Sequence, residues 1–232
     1  MVRKITNLAV TLAMLLSALL LALAGCPGDV TNGNGETNGD GVLEPAEVRE
    51  YQGENLSSVN DFRENSIKGP QYVDIENYQL EITGLVENPT SYSYDEVIEG
   101  YDSYKKVVTL HCVEGWDATI LWEGVLVSDL LAEAKPLPEA KVVIFHAYDG
   151  YTTSLPLDYI MDNDILMAYM MNEIPLPLER GFPFALVAES KWGYKWIKWI
   201  TEIELSDNVD YKGFWENRGY SNEGDLDKNF FD

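Results

Sequence analysis

The chain of 232 residues has few side chains that could bind a redox metal or act as nucleophiles. It contains two cysteines, Cys26 and Cys112, and two histidines, His111 and His146. No Cys-x-x-Cys-His sequence for covalent haem and no cysteine cluster for an iron–sulfur centre is present. A zinc site would require three or four Cys, His or carboxylate ligands at set spacing, and the sequence shows no such spacing. A metal at a single protein sulfur would therefore need a cofactor that supplies the other ligands.

Positive charge is also scarce. The chain has 16 Lys and Arg against 39 Asp and Glu, which gives a formal net charge of −23. A field of this sign repels polyanions, so the composition excludes nucleic acid as a partner and disfavours small anionic substrates unless the pocket is locally basic. A heavily acidic surface also suits salt-rich surroundings, where screening weakens that field.

The long hydrophobic run of the chain lies in residues 1–26. Arg3 and Lys4 precede an uncharged apolar run from Leu8 to Ala24, which ends in Leu-Ala-Gly-Cys at Cys26. This order predicts an export signal, and its ending resembles a lipoprotein box in which Cys26 carries the lipid. An uncleaved membrane anchor is the alternative. Both interpretations predict an extracytoplasmic protein attached to the cell membrane, either in the periplasm or on the outer face.

Residues 27–58 are predicted to be a flexible acidic tether, because their first half consists almost entirely of Gly, Asn, Thr and acidic residues. Residues 36–47 place oxygen ligands, a glycine and a closing glutamate at the offsets of an EF-hand calcium loop. The predicted calcium ligands are Glu36, Asn38, Asp40 and Glu47. A plain acidic linker is the alternative, because Glu replaces the usual first Asp and no helical pattern precedes the loop.

Residues 59–232 predict one α+β domain that is rich in β-strands, with mixed sheets and short helices. Ser93 and Glu96 have the spacing of a capping box and predict a short helix to about Glu99. A second helix is predicted over 128–134, before two prolines. Residues 169–177 are predicted to be an irregular connection that lines a cavity or the core. The predicted strands are 72–83, 106–110, 119–122, 141–145 and 184–187.

Cys112 follows the β-branched run 107–110 and precedes a Gly-Trp turn, so it is expected at the end of a strand. A small buried hydrophobe is the commonest role of such a residue. A nucleophile would need a base, but the side chain of His111 would leave the opposite face of the strand. The third interpretation is a metal thiolate whose other ligands come from a cofactor.

Several motifs in order resemble the sulfite oxidase family of molybdopterin enzymes, especially the bacterial branch that contains a periplasmic methionine sulfoxide reductase subunit. The resemblance covers about 60–225. The matching segments are His-Cys-Val-Glu-Gly-Trp at 111–116, Trp-Glu-Gly-Val at 122–125, Gly-Phe-Pro at 181–183 and Lys-Trp-Gly-Tyr-Lys-Trp-Ile-Lys-Trp-Ile at 191–200.

The resemblance implies that Cys112 is the molybdenum ligand and that Lys198 contacts the terminal phosphate of the pterin. The basic, aromatic loop 190–195 is expected to help to bind that anion. Ala185 replaces an arginine of the family, and Arg180 could supply the missing cation from another direction. Tyr151 and Trp116 are predicted pocket residues, with Tyr151 assigned to catalysis. The other cofactor contacts that the resemblance implies are Asn60, Glu64, Trp196 and Ile197.

The family implies two-electron oxygen-atom transfer on a small substrate, with the metal performing the chemistry. The acidic composition favours a neutral sulfoxide over sulfite. A separate electron carrier, expected at the membrane, must exchange the electrons, because the chain has no haem or iron–sulfur motif. Two alternatives remain at this point: a lipid-anchored binding module that has lost the metal, indicated by Ala185, and an acidic calcium-dependent surface protein, indicated by residues 36–47.

Overall fold

The computed structural model describes residues 3–5 and 46–231. Within this part the chain forms two larger β-sheets, a two-stranded hairpin and three short α-helices. The helices are α1 (Tyr94–Gly100), α2 (Val127–Ala134) and α3 (Leu157–Asp162). The strands are β1 (Arg3–Ile5), β2 (Glu50–Tyr51), β3 (Glu54–Asn55), β4 (Leu80–Gly84), β5 (Thr90–Tyr92), β6 (Ser103–His111), β7 (Asp117–Leu126), β8 (Val142–Ala147), β9 (Thr152–Pro156), β10 (Leu166–Met171), β11 (Ile174–Pro175), β12 (Ala185–Val187) and β13 (Ile200–Ser206).

The first sheet has the strand order β1-β6-β7-β10-β11, and β12 also pairs with β10. All its pairings are antiparallel. Strands β6 and β7 form a long hairpin whose register runs from the pair Tyr104 and Gly124 to the pair His111 and Asp117. This hairpin places Cys112 directly after β6, at the beginning of the connecting turn.

The second sheet has the order β5-β4-β13-β8-β9. Its strands β4 and β13 are parallel and its other pairs are antiparallel, so this sheet is mixed. Both sheets and the helices contribute to one buried hydrophobic cluster. Helix α2, for example, buries Val127, Leu130, Leu131 and Ala134, which recur at the spacing of one helical face. The predicted fold class, an α+β, β-rich arrangement of mixed sheets with short helices, is confirmed.

Local sequence patterns predicted some secondary-structure elements correctly and others only in part. The capping box is present: the Ser93 hydroxyl accepts from the Glu96 backbone N–H, and the Glu96 carboxylate accepts from the Ser93 N–H. The prediction of a strand over 72–83 is wrong in its first half, because β4 begins at Leu80 and a 3-10 helix, Ile75–Asn77, precedes it.

The prediction of an irregular connection over 169–177 is wrong. Residues 166–171 form β10, which lies inside the first sheet between β7 and its partners β11 and β12. Such a strand is covered on both faces and shows no alternation of polar and apolar residues. Its turn uses positive φ at Asn172 (49°) and Glu173 (65°), and a glutamate there gives no turn signal in the sequence.

The predicted tether also ends earlier than residue 58. Strands β2 and β3 pair with each other, and Leu56 and Ser58 are buried against the domain. The Leu56 N–H donates to the Arg49 carbonyl at 3.0 Å, and the Ser57 N–H donates to the Thr119 carbonyl at 2.8 Å. Residues 46–58 are therefore part of the folded domain, because their backbone groups find partners there.

Candidate active site

A cavity of about 400 Å³ lies beside the tip of the β6–β7 hairpin. This volume is within the usual range for sites that bind small molecules or cofactors. Its walls come from the loop after residue 61, the hairpin tip, the turn after β8, the segment before β13 and the C-terminal segment. The residues that line it include Phe62, Glu64, Asn65, Cys112, Trp116, Asp149, Tyr151, Glu179, Arg180, Ala185, Trp196, Ile197, Lys198, Trp215 and Tyr220.

Cys112 is half-buried and faces this cavity as a free thiol. Its backbone is fixed by the hairpin turn, because its N–H donates to the Trp116 carbonyl at 3.0 Å and its carbonyl accepts from the Gly115 N–H at 3.0 Å. The Asn65 amide donates to the sulfur at 3.7 Å. Burial raises the pKa of the Cys112 thiol, and the nearby Glu114 carboxylate acts in the same direction. The thiol is therefore protonated at neutral pH until a metal replaces the proton.

This raised pKa predicts slow alkylation of Cys112 in cofactor-free protein. Because only the thiolate reacts, Cys112 should be alkylated by iodoacetamide at pH 7.5 more slowly than an unperturbed cysteine. The alkylation rate of Cys112 should still be rising at pH 9–10. Peptide mass spectrometry would follow Cys112 separately from Cys26. The variant Asn65→Ala should react more slowly still, because the amide hydrogen bond lowers the pKa. A rate above that of a free cysteine would contradict the prediction.

Lys198 and Glu64, two of the predicted cofactor contacts, form an ion pair in the cavity wall. Their Nζ and Oε1 atoms are 2.5 Å apart, and Lys198 also donates to the Glu179 carbonyl at 3.1 Å. Burial lowers the pKa of Lys198, although the Glu64 carboxylate opposes this effect. Gly181 has a φ of 114°, and a Cβ there would lie 2.9 Å from the Lys198 Cβ. The glycine therefore permits the close approach that holds the Lys198 chain in place.

Arg180 is buried and lines the cavity, but its guanidinium also supports the neighbouring loop. Its Nε donates to the Val59 carbonyl and one terminal nitrogen donates to the Phe62 carbonyl, both at 2.8 Å. The guanidinium also lies 4.2 Å from the centre of the Phe62 ring. Burial lowers the pKa of Arg180. Its N–H groups are thus partly committed to protein carbonyls, which limits what it can offer to an anion.

The structure does not bring Asn60 to the cavity. Asn60 is exposed, whereas Asn65 lies in the cavity wall and contacts the Cys112 sulfur. Both asparagines belong to the same polar loop, so composition indicated the segment without indicating the residue. Trp196 and Ile197, which were predicted as cofactor contacts, line the cavity beside Lys198.

Tyr151 and Trp116 also line the cavity. The Tyr151 hydroxyl donates to the Tyr194 carbonyl, and burial raises the pKa of Tyr151 well above its usual value. Tyr151 therefore remains protonated and is held by its own hydrogen bond. Trp116 stacks on Phe62 with ring centres 5.7 Å apart, which builds an apolar wall next to Cys112.

The lysines of the loop 190–195 do not face the cavity as free cations. Lys191 pairs with Asp225, and Lys195 pairs with Glu216 at 2.6 Å. Both acids belong to the C-terminal segment. This corrects the expectation that the loop offers several cations to a phosphate: its positive charge binds the C-terminal segment to the domain.

Among the predicted calcium ligands, Glu36, Asn38 and Asp40 lie outside the described residues. The Glu47 carboxylate is occupied by the domain itself: Oε1 accepts from the Val59 N–H at 2.7 Å and from the Asn172 amide at 2.8 Å, and Oε2 accepts from the Ser58 hydroxyl at 2.8 Å. These contacts give Glu47 an anchoring role in place of the closing role in a calcium loop. Cys26 and most of the predicted signal also lie outside the described residues. In the described part, no helix is long and apolar enough to cross a membrane.

Comparison with known proteins gives a match between residues 67–215 and the family model of the oxidoreductase molybdopterin binding domain. An uncharacterized oxidoreductase of Bacillus subtilis, YuiH, is 36% identical over 157 residues, which are 67% of this chain and 78% of that protein. The protein-methionine-sulfoxide reductase catalytic subunit MsrP of Xanthomonas campestris is 29% identical over 177 residues, covering 67% of this chain and 55% of MsrP. An NADPH nitrate reductase of Fusarium oxysporum is 33% identical over 165 residues, covering 58% of this chain and 18% of that enzyme.

A solved structure has a similar fold. The sulfane dehydrogenase SoxCD of Paracoccus pantotrophus superposes with a TM-score of 0.59 at 24% identity, over 67% of this chain and 43% of that chain. At this identity the likeness concerns the fold alone. This chain covers 78% of the Bacillus protein. It covers only 55% of MsrP, 43% of the SoxCD chain and 18% of the nitrate reductase.

Proposed function

Because the chain belongs to the molybdopterin-binding oxidoreductases of the sulfite oxidase family, we propose that it is an exported, lipid-anchored molybdenum–molybdopterin enzyme that transfers an oxygen atom to or from a small substrate. The observation that carries this proposal is the cavity in which the Cys112 sulfur, the Lys198 ammonium group and an aromatic wall lie together. The proposed direction is reduction of a neutral sulfoxide, with electrons from a separate carrier.

The residues of the cavity fit this cofactor. Cys112 offers one soft sulfur donor, which suits a metal whose other sulfur donors come from the pterin. Lys198 would bind the terminal phosphate, with Trp196 and Ile197 offering backbone contacts beside it. Glu64 would have to share or release Lys198 when the phosphate binds, because the two side chains are 2.5 Å apart. When bound, the cofactor supplies two-electron redox chemistry and exchange of an oxygen ligand.

The protein's own groups prepare the site. The hairpin turn fixes the Cys112 backbone, and the Asn65 amide donates to the sulfur at 3.7 Å, so the thiolate that forms on metal binding has an oriented donor. Phe62 and Trp116 exclude water on one side. Trp215 and Tyr220, from the C-terminal segment, add aromatic surface on the cavity wall.

The charges of the cavity favour a neutral substrate. Lys198 pairs with Glu64, and Arg63 lies 3.8 Å from Glu114. Asp149 and Glu179, two further acidic residues, also line the cavity. A dianion such as sulfite would meet an acidic protein field and cations that are already paired with carboxylates or, for Arg180, bonded to backbone carbonyls, whereas an organic sulfoxide would gain contact with the aromatic rings. The proposed net reaction is R₂SO + 2e⁻ + 2H⁺ → R₂S + H₂O, with a reduced carrier as the electron source.

Attachment through Cys26 gives this reaction its surroundings. Processing at Cys26 would remove β1 (Arg3–Ile5), the strand at the edge of the first sheet that pairs with β6. The lipid-bearing first residue would then hold the domain close to membrane-associated electron carriers. The acidic tether after Cys26 would let the cavity reach such a carrier. The chain itself has no haem or iron–sulfur motif, which supports the need for that partner.

One observation favours a second candidate, a binding module that keeps the fold without the metal. Ala185 lies in the cavity wall where the family carries an arginine, and Arg180 is partly committed to the Val59 and Phe62 carbonyls. Phosphate binding would then depend mainly on Lys198. Metal analysis separates the two candidates.

The proposal is tested with full-length protein made in a host that synthesises molybdopterin. We expect close to one molybdenum per chain, and reduction of methyl sulfoxides with a reduced viologen dye as donor that exceeds oxidation of sulfite with a ferric acceptor by more than about 10-fold in kcat/KM. Assays at low and high salt would show whether screening restores sulfite oxidation, as the acidic field predicts. Protein from this host without molybdenum would support the binding module, and faster sulfite oxidation at both salt concentrations would contradict the sulfoxide assignment.

A further inference from the structure

A second group of metal-ligating side chains lies outside the cavity, on the second sheet. It consists of His146 on β8 and of Glu202 and Glu204 on β13. One ligand atom from each lies within 4.8 Å of the other two. None of the three residues belongs to the cavity lining. The group is also independent of Cys112 and of the proposed reaction.

The sheet geometry explains why these three side chains meet. Glu202 and Glu204 are two residues apart on β13 and therefore leave the same face of the sheet. His146 is the direct partner of Glu202 in the antiparallel pairing of β8 and β13. Their neighbours Phe145, Ile203 and Leu205 are buried, so the three polar side chains occupy the face opposite the core. An irregularity in the register between Ile200 and Glu202 marks the start of this cluster.

The side chains already contact one another and are held in place. The His146 Nε2 and Glu204 Oε2 atoms are 2.9 Å apart, and Glu202 accepts from the Thr83 hydroxyl at 2.6 Å. The His146 and Glu204 side chains are 28% and 37% exposed, so the group is partly shielded but open to ions. Because the ligands stand on the paired strands β8 and β13, less conformational entropy is lost when an ion orders them.

The charge balance of this group favours a cation. Glu81 on β4 is the register partner of Glu202, so three carboxylates lie on neighbouring positions of one face. Among the described residues, neither Glu202 nor Glu204 forms an ion pair with a lysine or arginine; the Glu204 carboxylate contacts the His146 ring instead. A divalent ion would offset the repulsion between the carboxylates and accept a nitrogen ligand as well.

We propose that His146, Glu202 and Glu204 form a binding site for a divalent transition-metal ion of the zinc class. Imidazole nitrogen and carboxylate oxygen are both protein ligands of Zn²⁺, and three protein ligands with water in the fourth position are a usual arrangement at zinc sites. Calcium and magnesium do not match this set, because they prefer oxygen ligands only. The acidic groups that face His146 are Glu204, Glu202 and, on β4, Glu81.

The ion would tie β8 to β13 beside the cavity. Strand β8 continues into the turn that carries Asp149 and Tyr151, and β13 follows directly on Trp199. All three of these residues line the cavity wall. Zinc would therefore stabilise the strands that hold this wall without entering the cavity.

The test uses full-length protein from a host without the pterin pathway, freed of bound metals by chelation and titrated with Zn²⁺ by isothermal calorimetry in the presence of millimolar Ca²⁺ and Mg²⁺. We expect one zinc per chain, and a thermal midpoint about 5–10 °C higher when free zinc is about 100 times its Kd. Cobalt(II) should give the visible absorption of a low-coordinate site with a nitrogen ligand. His146→Ala and Glu204→Gln should each weaken zinc binding by more than about 10-fold.

Three controls make the outcome decisive. Glu81→Gln removes a negative charge directly beside the site, as Glu204→Gln does within it, and should weaken zinc binding by less than about 3-fold. His111→Ala, at the other histidine of the chain, should leave zinc binding unchanged. The metal-free His146→Ala and Glu204→Gln variants should keep the thermal midpoint of the metal-free parent, which shows that they fold. The proposal would be overturned if His146→Ala and Glu204→Gln both bound zinc as tightly as the parent. It would also be overturned if Glu81→Gln weakened zinc binding as much as Glu204→Gln does. Binding of the same strength in Cys112→Ser would exclude the cavity thiol as the zinc ligand, and loss of binding in that variant would also overturn the proposal.

Discussion

Replacement of Cys112 by serine should give folded protein that holds almost no molybdenum. Among the described residues, Cys112 supplies the one cysteine sulfur of the cavity wall, and a hydroxyl is a much poorer donor for a metal that prefers soft ligands. Loss of a side chain that only hydrogen-bonds to a metal ligand already costs about 10–100-fold in affinity or activity, so loss of the ligand itself should lower the rate of sulfoxide reduction by more than about 100-fold. Metal analysis by mass spectrometry and steady-state kinetics would measure both effects.

The same variant should remain stable, because Cys112 is only half-buried and its backbone is fixed by the hairpin turn. Its thermal midpoint should match that of wild-type protein from a host without the pterin pathway. Asn65→Ala is the matched variant: it keeps the sulfur and removes its amide donor, and it should retain part of the molybdenum. Full molybdenum content in Cys112→Ser would show that the cofactor does not need this sulfur and would contradict the assigned ligand.

The largest stability effect is expected at the buried ion pair between Lys195 and Glu216. Both side chains are fully buried; Glu216 Oε1 also accepts from the Thr153 hydroxyl at 2.7 Å, and Lys195 Nζ donates to the Ser154 carbonyl at 2.9 Å. Lys195→Met would leave the buried Glu216 carboxylate without its cation. The second oxygen of this carboxylate, Oε2, already has no hydrogen-bond partner. The variant should lose about 3–5 kcal/mol of unfolding free energy. This corresponds to a fall of roughly 6–20 °C in the midpoint of thermal unfolding.

Two comparisons isolate the buried charge as the cause. The double variant Lys195→Met with Glu216→Leu removes both charges and should recover most of the lost stability, since buried pairs can often be replaced by apolar side chains. Lys228→Met breaks the exposed contacts of Lys228 with Glu223 and Asp225 and should lower the thermal midpoint far less than Lys195→Met does, because solvent screens exposed charges. Equal losses in the single and double variants would show that the pair matters for its shape and not for its charge.

The Lys195–Glu216 pair also shows how the C-terminal segment becomes part of the cavity. Glu216 follows Trp215, whose side chain lines the cavity, and Lys195 precedes Trp196 on the opposite chain segment. Breaking the ion pair should therefore loosen one aromatic wall as well as lower the unfolding free energy. In sequence, the two charged residues are 21 positions apart and nothing marks them as partners.

Motifs with local causes were predictable. The capping box at Ser93 and the strand–turn–strand around Cys112 depend on neighbouring residues, so their geometry follows from short-range hydrogen bonds and the pattern of apolar side chains. Asn60 was predicted as a cofactor contact, but two asparagines share one polar loop, and the path of that loop leaves Asn60 exposed and turns Asn65 toward the sulfur. Strand β10 was missed because burial on both faces removes the alternation that identifies a strand.

By itself, the sequence determined the family resemblance, the β-rich fold class, the acidic charge and the position of the single domain cysteine at the end of a strand, since each depends on composition or on residues close together in the chain. Only the tertiary structure decided which cations are already paired, which asparagine meets the sulfur, and that His146 lies beside Glu202 and Glu204 across two strands. These facts depend on contacts between residues far apart in the chain, and the register and path of the backbone set such contacts in ways that no local pattern encodes.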